Sequence, residues 1–221
     1  MTIFLYYLGA FALGSIPFGW IVAHLKGIDI RKVGSGNIGA TNVKRALGTK
    51  WGLFVFFLDV IKGVIPGLLA GVILTGQSSS ISIPDHAVLG GVAAVLGHML
   101  SPFMRFRGGK GIATGLGALL GAAWMVGLGA FSVFLIMMAI TRIVSLSSVI
   151  AALFILICGW LFGQSPIFMG VYAVIVLVIW IKHIPNMKRL AKGEEPKFSF
   201  KKDNPAKEVE SADDDLSGTG E

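Results

Sequence analysis

Residues 111–141 read GIATGLGALLGAAWMVGLGAFSVFLIMMAIT, 31 consecutive positions without a charge, and how they are divided decides the fold. A helix that crosses a bilayer needs about 20 apolar residues. The stretch is long for one crossing and short for two. Working outward, apolar runs also cover residues 3–23, 51–74, 87–104 and 143–181. The second of these carries Asp59 and Lys62. The last is broken at Gly163-Gln164-Ser165-Pro166, a turn signal that makes it two spans. Residues 3–23 lack a basic leading segment and a small-x-small cleavage pattern, so they are expected to form a retained helix.

The composition agrees: 54% of the 221 residues are hydrophobic and only 14% are charged, whereas a soluble domain is about a quarter charged. The net charge of +7 would suggest nucleic acid on a soluble domain. Here the basic residues form short clusters between apolar runs, so no nucleic-acid partner is expected and membrane lipids are. Cys158, the single cysteine, excludes an intramolecular disulfide and a Cys-rich zinc site.

Those basic clusters settle how 111–141 divides. A turn at Gly127-Leu128-Gly129 makes seven spans, and the connections then alternate sides. One side receives 26–50, 105–110, Arg142 and everything from Lys182 onward, together 18 of the 19 Lys and Arg; Lys62 lies within a span. The other side receives none. A single long helix would throw Arg142 outside and invert the tail. The positive-inside rule therefore predicts an all-α integral membrane protein, a seven-span bundle with the N-terminus outside and the C-terminus cytoplasmic. Residues 1–198 form the membrane domain. Residues 199–221, rich in Lys, Asp, Glu, Ser and Gly, are predicted to be a disordered cytoplasmic tail.

The basic loops carry more than charge. Val33-Gly34-Ser35-Gly36-Asn37-Ile38-Gly39-Ala40-Thr41-Asn42 combines close-approach glycines with hydroxyl and amide side chains, and Arg45 follows at helical spacing from Thr41. Backbone N–H groups can converge on an anion there, and a helix starting near Thr41 would add its positive end. Gly108-Gly109-Lys110-Gly111, with Thr114 on the next helix, lacks the Walker A spacing but has similar parts for holding a phosphate. Arg142 with Ser145, Ser147 and Ser148 forms a third cluster; Ser145 and Ser148 share a helix face. Lys182-His183-Ile184-Pro185-Asn186 leads the basic segment that follows the last span.

Asp59 and Lys62, at i and i+3, read as a structural ion pair, and His98 as a satisfied bundle histidine. His24 and Asp29 match the His-x4-Asp pattern of a large acyltransferase family, but without flanking signature, and no role is expected for them. Acids near the basic clusters are limited to Asp29, Glu194 and Glu195. No metal and no cofactor are predicted. Two phosphate cradles in a membrane bundle define anionic, phosphorylated ligands, one of them lipid-soluble. An anion transporter and a purely structural membrane protein are the alternatives; the first needs an outer access path, yet the outer loops contain no Lys or Arg.

Several motifs, taken in order, resemble the bacterial membrane acyl-phosphate:glycerol-3-phosphate acyltransferases, the PlsY family. They are Gly14-Ser15-Ile16-Pro17-Phe18-Gly19, the 34–42 loop with Arg45, Phe56-Phe57-Leu58-Asp59-Val60-Ile61-Lys62-Gly63, and Gly97-His98 followed by Gly108-Gly109-Lys110-Gly111. The set closes with His183, Asn186, Arg189 and Gly193-Glu194-Glu195-Pro196. Lys182 and Pro185 depart from the usual Arg-His-Arg-x-Asn form of the last motif. The resemblance implies transfer of a fatty acyl group from acyl phosphate to the 1-hydroxyl of glycerol 3-phosphate, giving lysophosphatidic acid and phosphate. The implied location is the bacterial cytoplasmic (inner) membrane, with the active site facing the cytoplasm. Implied catalytic residues are Ser35, Arg45, Lys110, Ser145, Ser148, His183 and Asn186. Gly36, Asn37, Thr41, Asn42, Gly108, Gly109, Thr114 and Arg142 would bind substrate. The many glycines of the spans are expected to leave room for the acyl chain.

Overall fold

The computed structural model describes residues 1–199; the expected tail beyond Ser199 lies outside the described residues. Every regular element among the described residues is helical: α1 (Thr2–Ser15), α2 (Phe18–Leu25), α3 (Ala40–Leu47), α4 (Thr49–Leu74), α5 (Ile83–Met99), α6 (Ile112–Ala122), α7 (Trp124–Thr141), α8 (Val144–Leu161) and α9 (Pro166–Ala191). Six segments are long and apolar enough to cross a membrane: Thr2–Leu25, Thr49–Leu74, Ile83–Met104, Trp124–Thr141, Val144–Leu161 and Pro166–Ala191. Their outer faces carry exposed large apolar residues, among them Leu135, Ile136 and Ile140 on α7 and Val174 and Leu177 on α9. In water such faces would aggregate; in lipid they are the solvated surface.

The 111–141 stretch does divide, but not at the expected glycines. The break is at Ala123, whose φ of −147° and ψ of 68° leave the helical region. Gly127 and Gly129 lie inside α7. A Cβ on Gly127 would lie 3.0 Å from Leu120 N, so this glycine lets the start of α7 fold back against the end of α6. At 11 residues α6 is about 16 Å long, roughly half the hydrocarbon thickness. Two other boundaries shift. The first span is interrupted at Ile16-Pro17, because proline disfavours a helical residue before it. The last helix continues past Ile181 to Ala191 through Pro185, so His183 and Asn186 project from a helix rather than from an exit loop.

The chain forms two compact units. The first comprises Met1–Pro17 and Phe57–Phe198. Within it α5 packs against α1, α6 and α9, α7 against α6 and α8, and α8 against α9. Its core joins Val95, Leu119, Val126, Ile155, Phe168, Tyr172 and Ile179. Where α4 meets α6, Cβ atoms on Gly63 and Gly67 would collide with the backbones of Thr114 and Gly121, and those on Gly117 and Gly121 with the carbonyls of Val60 and Val64. This is a reciprocal small-xxx-small seam. Backbone fills those glycine positions, so they serve close packing and leave no space there for an acyl chain.

The second unit is Phe18–Phe56 with Ser199 among the described residues. Here α2 and α3 pack around the buried side chains of Ile30, Ile38 and Val43. Lys44 donates to the Ser199 carbonyl at 2.9 Å.

Candidate active site

The first unit draws four helix ends together. The 108–111 loop folds back on the end of α5, with Gly108 N donating to Met99 O and Gly109 N to His98 O, both at 3.2 Å. Arg105 and Phe106 precede it at φ of 52° and 61°, a strained left-handed pair that turns the chain sharply. Gly111, at φ 79°, caps α6 without any side-chain hydrogen bond, so the positive end of α6 follows directly on Lys110. Lys110 Nζ donates to Asn186 Oδ1 of α9.

Asn186 in turn leads to Glu195, a residue with no role in the expected site. Glu195 Oε1 accepts from Asn186 Nδ2 at 2.6 Å and from Ser145 Oγ at 2.7 Å, while Oε2 accepts from Arg189 Nε at 2.8 Å. A chain of contacts Lys110–Asn186–Glu195–Ser145 therefore ties α6, α8 and α9 together. Glu195 is only 7% exposed. Burial alone pushes its carboxyl pKa up, but the hydrogen bonds from Asn186 and Ser145 and the Arg189 guanidinium hold it below the usual range. The available signal was the acid itself, embedded in a basic segment after α9. The segment is held in place by Phe198 N donating to Arg142 O at 2.6 Å.

The other expected residues separate by partner. His183 is 2% exposed, and its Nδ1 lies 2.8 Å from Ile179 O; donation there leaves Nε2 as the ring's acceptor. Ser148 Oγ instead bonds back to Val144 O at 2.8 Å and Ser147 Oγ to Ile143 O at 2.9 Å, so of the three serines only Ser145 reaches Glu195. Arg142 ends α7 at φ 57° and its side chain is exposed. Thr114 is wholly buried in the first turn of α6, and its hydroxyl has no hydrogen-bond partner among the described residues.

The second unit holds the 34–42 cradle. Its helix α3 begins at Ala40, one residue from the expected start, and Gly39 provides no side-chain cap. Gly34 and Gly36 adopt φ of 56° and 68°, which explains why glycine stands at both. Asn42 is 2% exposed and committed to the loop: Oδ1 accepts from Ser35 N at 3.0 Å, and Nδ2 donates to Ile30 O and Val33 O at 3.2 and 2.9 Å. Its amide protons are both used, so it shapes the cradle. Arg45 Cδ lies 3.9 Å from the place a Gly34 Cβ would take, which sets the guanidinium stem beside the loop. Ser35 is exposed, and Gly36, Asn37 and Thr41 are half-buried around it.

His24 and Asp29 have separate partners. The His24 ring stacks on Trp20 at 4.9 Å. Asp29 pairs with Arg31 at 2.8 Å, and that hydrogen bond lowers its pKa to about 2. Among the described residues no three His, Cys, Asp or Glu side chains form a metal-binding group.

Residues 4–193 match the glycerol-3-phosphate acyltransferase family. The glycerol-3-phosphate acyltransferase of Aquifex aeolicus (strain VF5) is 45% identical over 194 residues, covering 86% of this chain and 95% of that protein. That of Prochlorococcus marinus (strain MIT 9211) is 43% identical over 195 residues, covering 86% and 91%. Crystal structures of PlsY, an integral membrane glycerol 3-phosphate acyltransferase, superpose with a TM-score of 0.82 at 40% identity for the glycerol 3-phosphate form and 0.79 at 39% for the lysophosphatidic acid form. Each covers 90% of this chain and 96% of the solved one. A bundle of apolar helices with a glycine–lysine loop, matched over nearly its whole length, makes this chain a member of the PlsY family of integral membrane glycerol-3-phosphate acyltransferases.

Proposed function

We propose that this protein transfers a fatty acyl group from acyl phosphate to the 1-hydroxyl of glycerol 3-phosphate, releasing lysophosphatidic acid and inorganic phosphate. The observation that carries the reading is the Lys110–Asn186–Glu195–Ser145 chain beside an uncapped helix N-terminus. Two phosphoryl substrates require two anion sites, and the proposed pair is the 108–111 loop and the 34–42 loop. Lys110 holds a phosphate and neutralises charge as the acyl–oxygen bond breaks, with Gly108 and Gly109, whose N–H groups bond to Met99 O and His98 O, allowing close approach to the loop. Ser35, Gly36, Asn37, Thr41 and Arg45 bind the other phosphoryl substrate, in a loop shaped by Asn42. Ser145, His183 and Asn186 orient the hydroxyl and the reacting carbonyl. Purified protein given both substrates is expected to form lysophosphatidate; failure to form it would refute the proposal.

The chemistry is direct transfer. The glycerol oxygen attacks the acyl carbon, the carbon–oxygen bond to phosphate breaks, and the departing phosphate takes the bonding pair and the hydroxyl proton. No acyl-enzyme and no metal is required. The one thiol, on Cys158, is buried in α8 at a Gly129 contact. Expected results are a preference for acyl phosphate over acyl-CoA, turnover that survives EDTA, and unimpaired Cys158→Ala. A stable acyl adduct on Ser or Cys after quenching with donor alone would refute direct transfer.

The proposed setting is the bacterial inner membrane with seven crossings, the N-terminus outside and the site cytoplasmic. In support, the 60% exposed Trp124 starts α7 as an interfacial aromatic, and the connections on the opposite side hold 18 of 19 Lys and Arg. A topology reporter is expected to read cytoplasmic after Arg107 and external near Ser79. A cytoplasmic signal from Ser79 would overturn this arrangement.

A further inference from the structure

Between Phe18 and Phe56 the second unit carries six Lys and Arg, at 26, 31, 32, 44, 45 and 50, against one acid, Asp29. That acid is already engaged: its two oxygens accept from the Arg31 guanidinium at 2.8 and 2.9 Å. The positive field of this stretch is therefore not neutralised from within. Lys26, just past the end of α2, holds its Nζ 4.5 Å from the centroid of the Trp51 ring, in the first turn of α4. A ring face attracts an ammonium through its quadrupole but accepts no conventional hydrogen bond from it. Among the described residues neither Lys26 Nζ nor the Trp51 indole N–H has a hydrogen-bond acceptor. Two donor-only groups thus stand side by side.

The rim of this pair is apolar and open. Leu25 is 77% exposed, Leu53 51% and Phe54 48%, and Phe54 meets Trp51 edge to face at 6.1 Å. A nucleic acid or a free anion would answer the charge and leave that rim bare. A phospholipid answers both: its phosphate takes the two donors, and its acyl chains cover Leu25, Leu53 and Phe54. Tryptophan and lysine at the end of a span are the composition of the headgroup level. A zwitterionic headgroup brings its own ammonium into a positive field, so a net negative lipid is selected. Residues 201–221 of the chain are also acidic, at Glu208, Glu210 and Asp213 to Asp215, but their large apolar residues are Val209 and Leu216 alone. They match the charge of the patch and not its rim.

We propose that Lys26 and Trp51, rimmed by Leu25, Leu53 and Phe54, form a binding site for an anionic phospholipid of the surrounding bilayer. The site belongs to the second unit, and it stands whether or not the reaction proposed above is correct.

The test uses the full-length protein in nanodiscs made from equal amounts of phosphatidylglycerol and phosphatidylcholine. Native mass spectrometry then reads the ratio of the two lipids that the released protein retains. A preference of about fivefold or more for phosphatidylglycerol is expected, the scale of one lysine at a headgroup. Lys26→Gln should lower the ratio about fivefold, and Lys26→Arg should keep it. Trp51→Leu leaves every charge in place and should lower it about threefold, the scale of a lost cation–π contact. Lys188→Gln removes an exposed cation of α9 in the first unit and should leave the ratio unchanged. Variants are compared at wild-type Tm in phosphatidylcholine discs. Equal retention of the two lipids by the wild type would overturn the inference, as would an unchanged ratio in Lys26→Gln. An equal loss in Lys188→Gln and Lys26→Gln would reduce the effect to general surface charge and overturn it too. Selectivity that emerges only when residues 201–221 are removed would give the patch to the acidic tail instead.

Discussion

Lys110→Ala is expected to lower turnover by about 100-fold or more in a protein that still folds, the scale for losing a preorganised charge stabiliser. The magnitude follows from placement. Lys110 lies between two glycines and the uncapped start of α6, and Asn186 Oδ1 holds its ammonium. Its charge is thus oriented before substrate arrives, and in the proposed reaction it would need no reorganisation as negative charge builds on the leaving phosphate. The loss should fall on kcat, because the charge being stabilised grows toward the transition state. Arg45→Ala should cost a comparable factor. Steady-state kinetics on protein of unchanged Tm is the check. Retention of most activity by folded Lys110→Ala would reduce the loop to a membrane anchor.

Glu195→Ala is expected to abolish most activity and also to lower Tm. Its carboxylate accepts from Ser145, Asn186 and Arg189. Removing it strands three donors, two of them buried, at a cost on the order of 3 kcal/mol. Asn186 then loses the partner that orients its carbonyl toward Lys110. Because hydrogen bonding holds the folded carboxyl below its ordinary range, its stabilising contribution is complete above that range. It is lost as pH falls through the depressed value. Wild-type Tm should drop on acidification in that window, and the Glu195→Ala profile should be flatter. Equal acid sensitivity of the two proteins would show that Glu195 is not the hub.

Several features of the fold were legible because each has a one-dimensional signature. A membrane span is set by length and apolarity, so the runs at 51–74 and 143–181 could be read directly, and Gly163 to Pro166 ended α8 by turn chemistry alone. The division of 111–141 was legible as a count but not as a place. Gly127 and Gly129 look like a turn, yet Gly127 is a contact surface, and the chain bends at Ala123, which carries no turn signal. Glycine serves both purposes, and only the identity of the neighbouring backbone tells them apart.

The sequence by itself determined the helical membrane class, and it located the glycine–lysine loop, the 34–42 loop with Arg45, and the polar clusters that hold Asn186 and Ser145. Composition, spacing and residue chemistry are local properties, and these features need nothing more. Only the tertiary structure decided that Glu195 joins Ser145 to Asn186 across 50 and 9 positions of chain, that Ser148 turns back on its own helix, and that Asn42 shapes its loop. It also decided that Lys62 meets His98 as well as Asp59, at 2.9 and 2.7 Å. Each of these is a choice among hydrogen-bond partners. In a medium without water a buried donor takes the acceptor that packing brings within about 3 Å, and that acceptor is set by which helix ends meet.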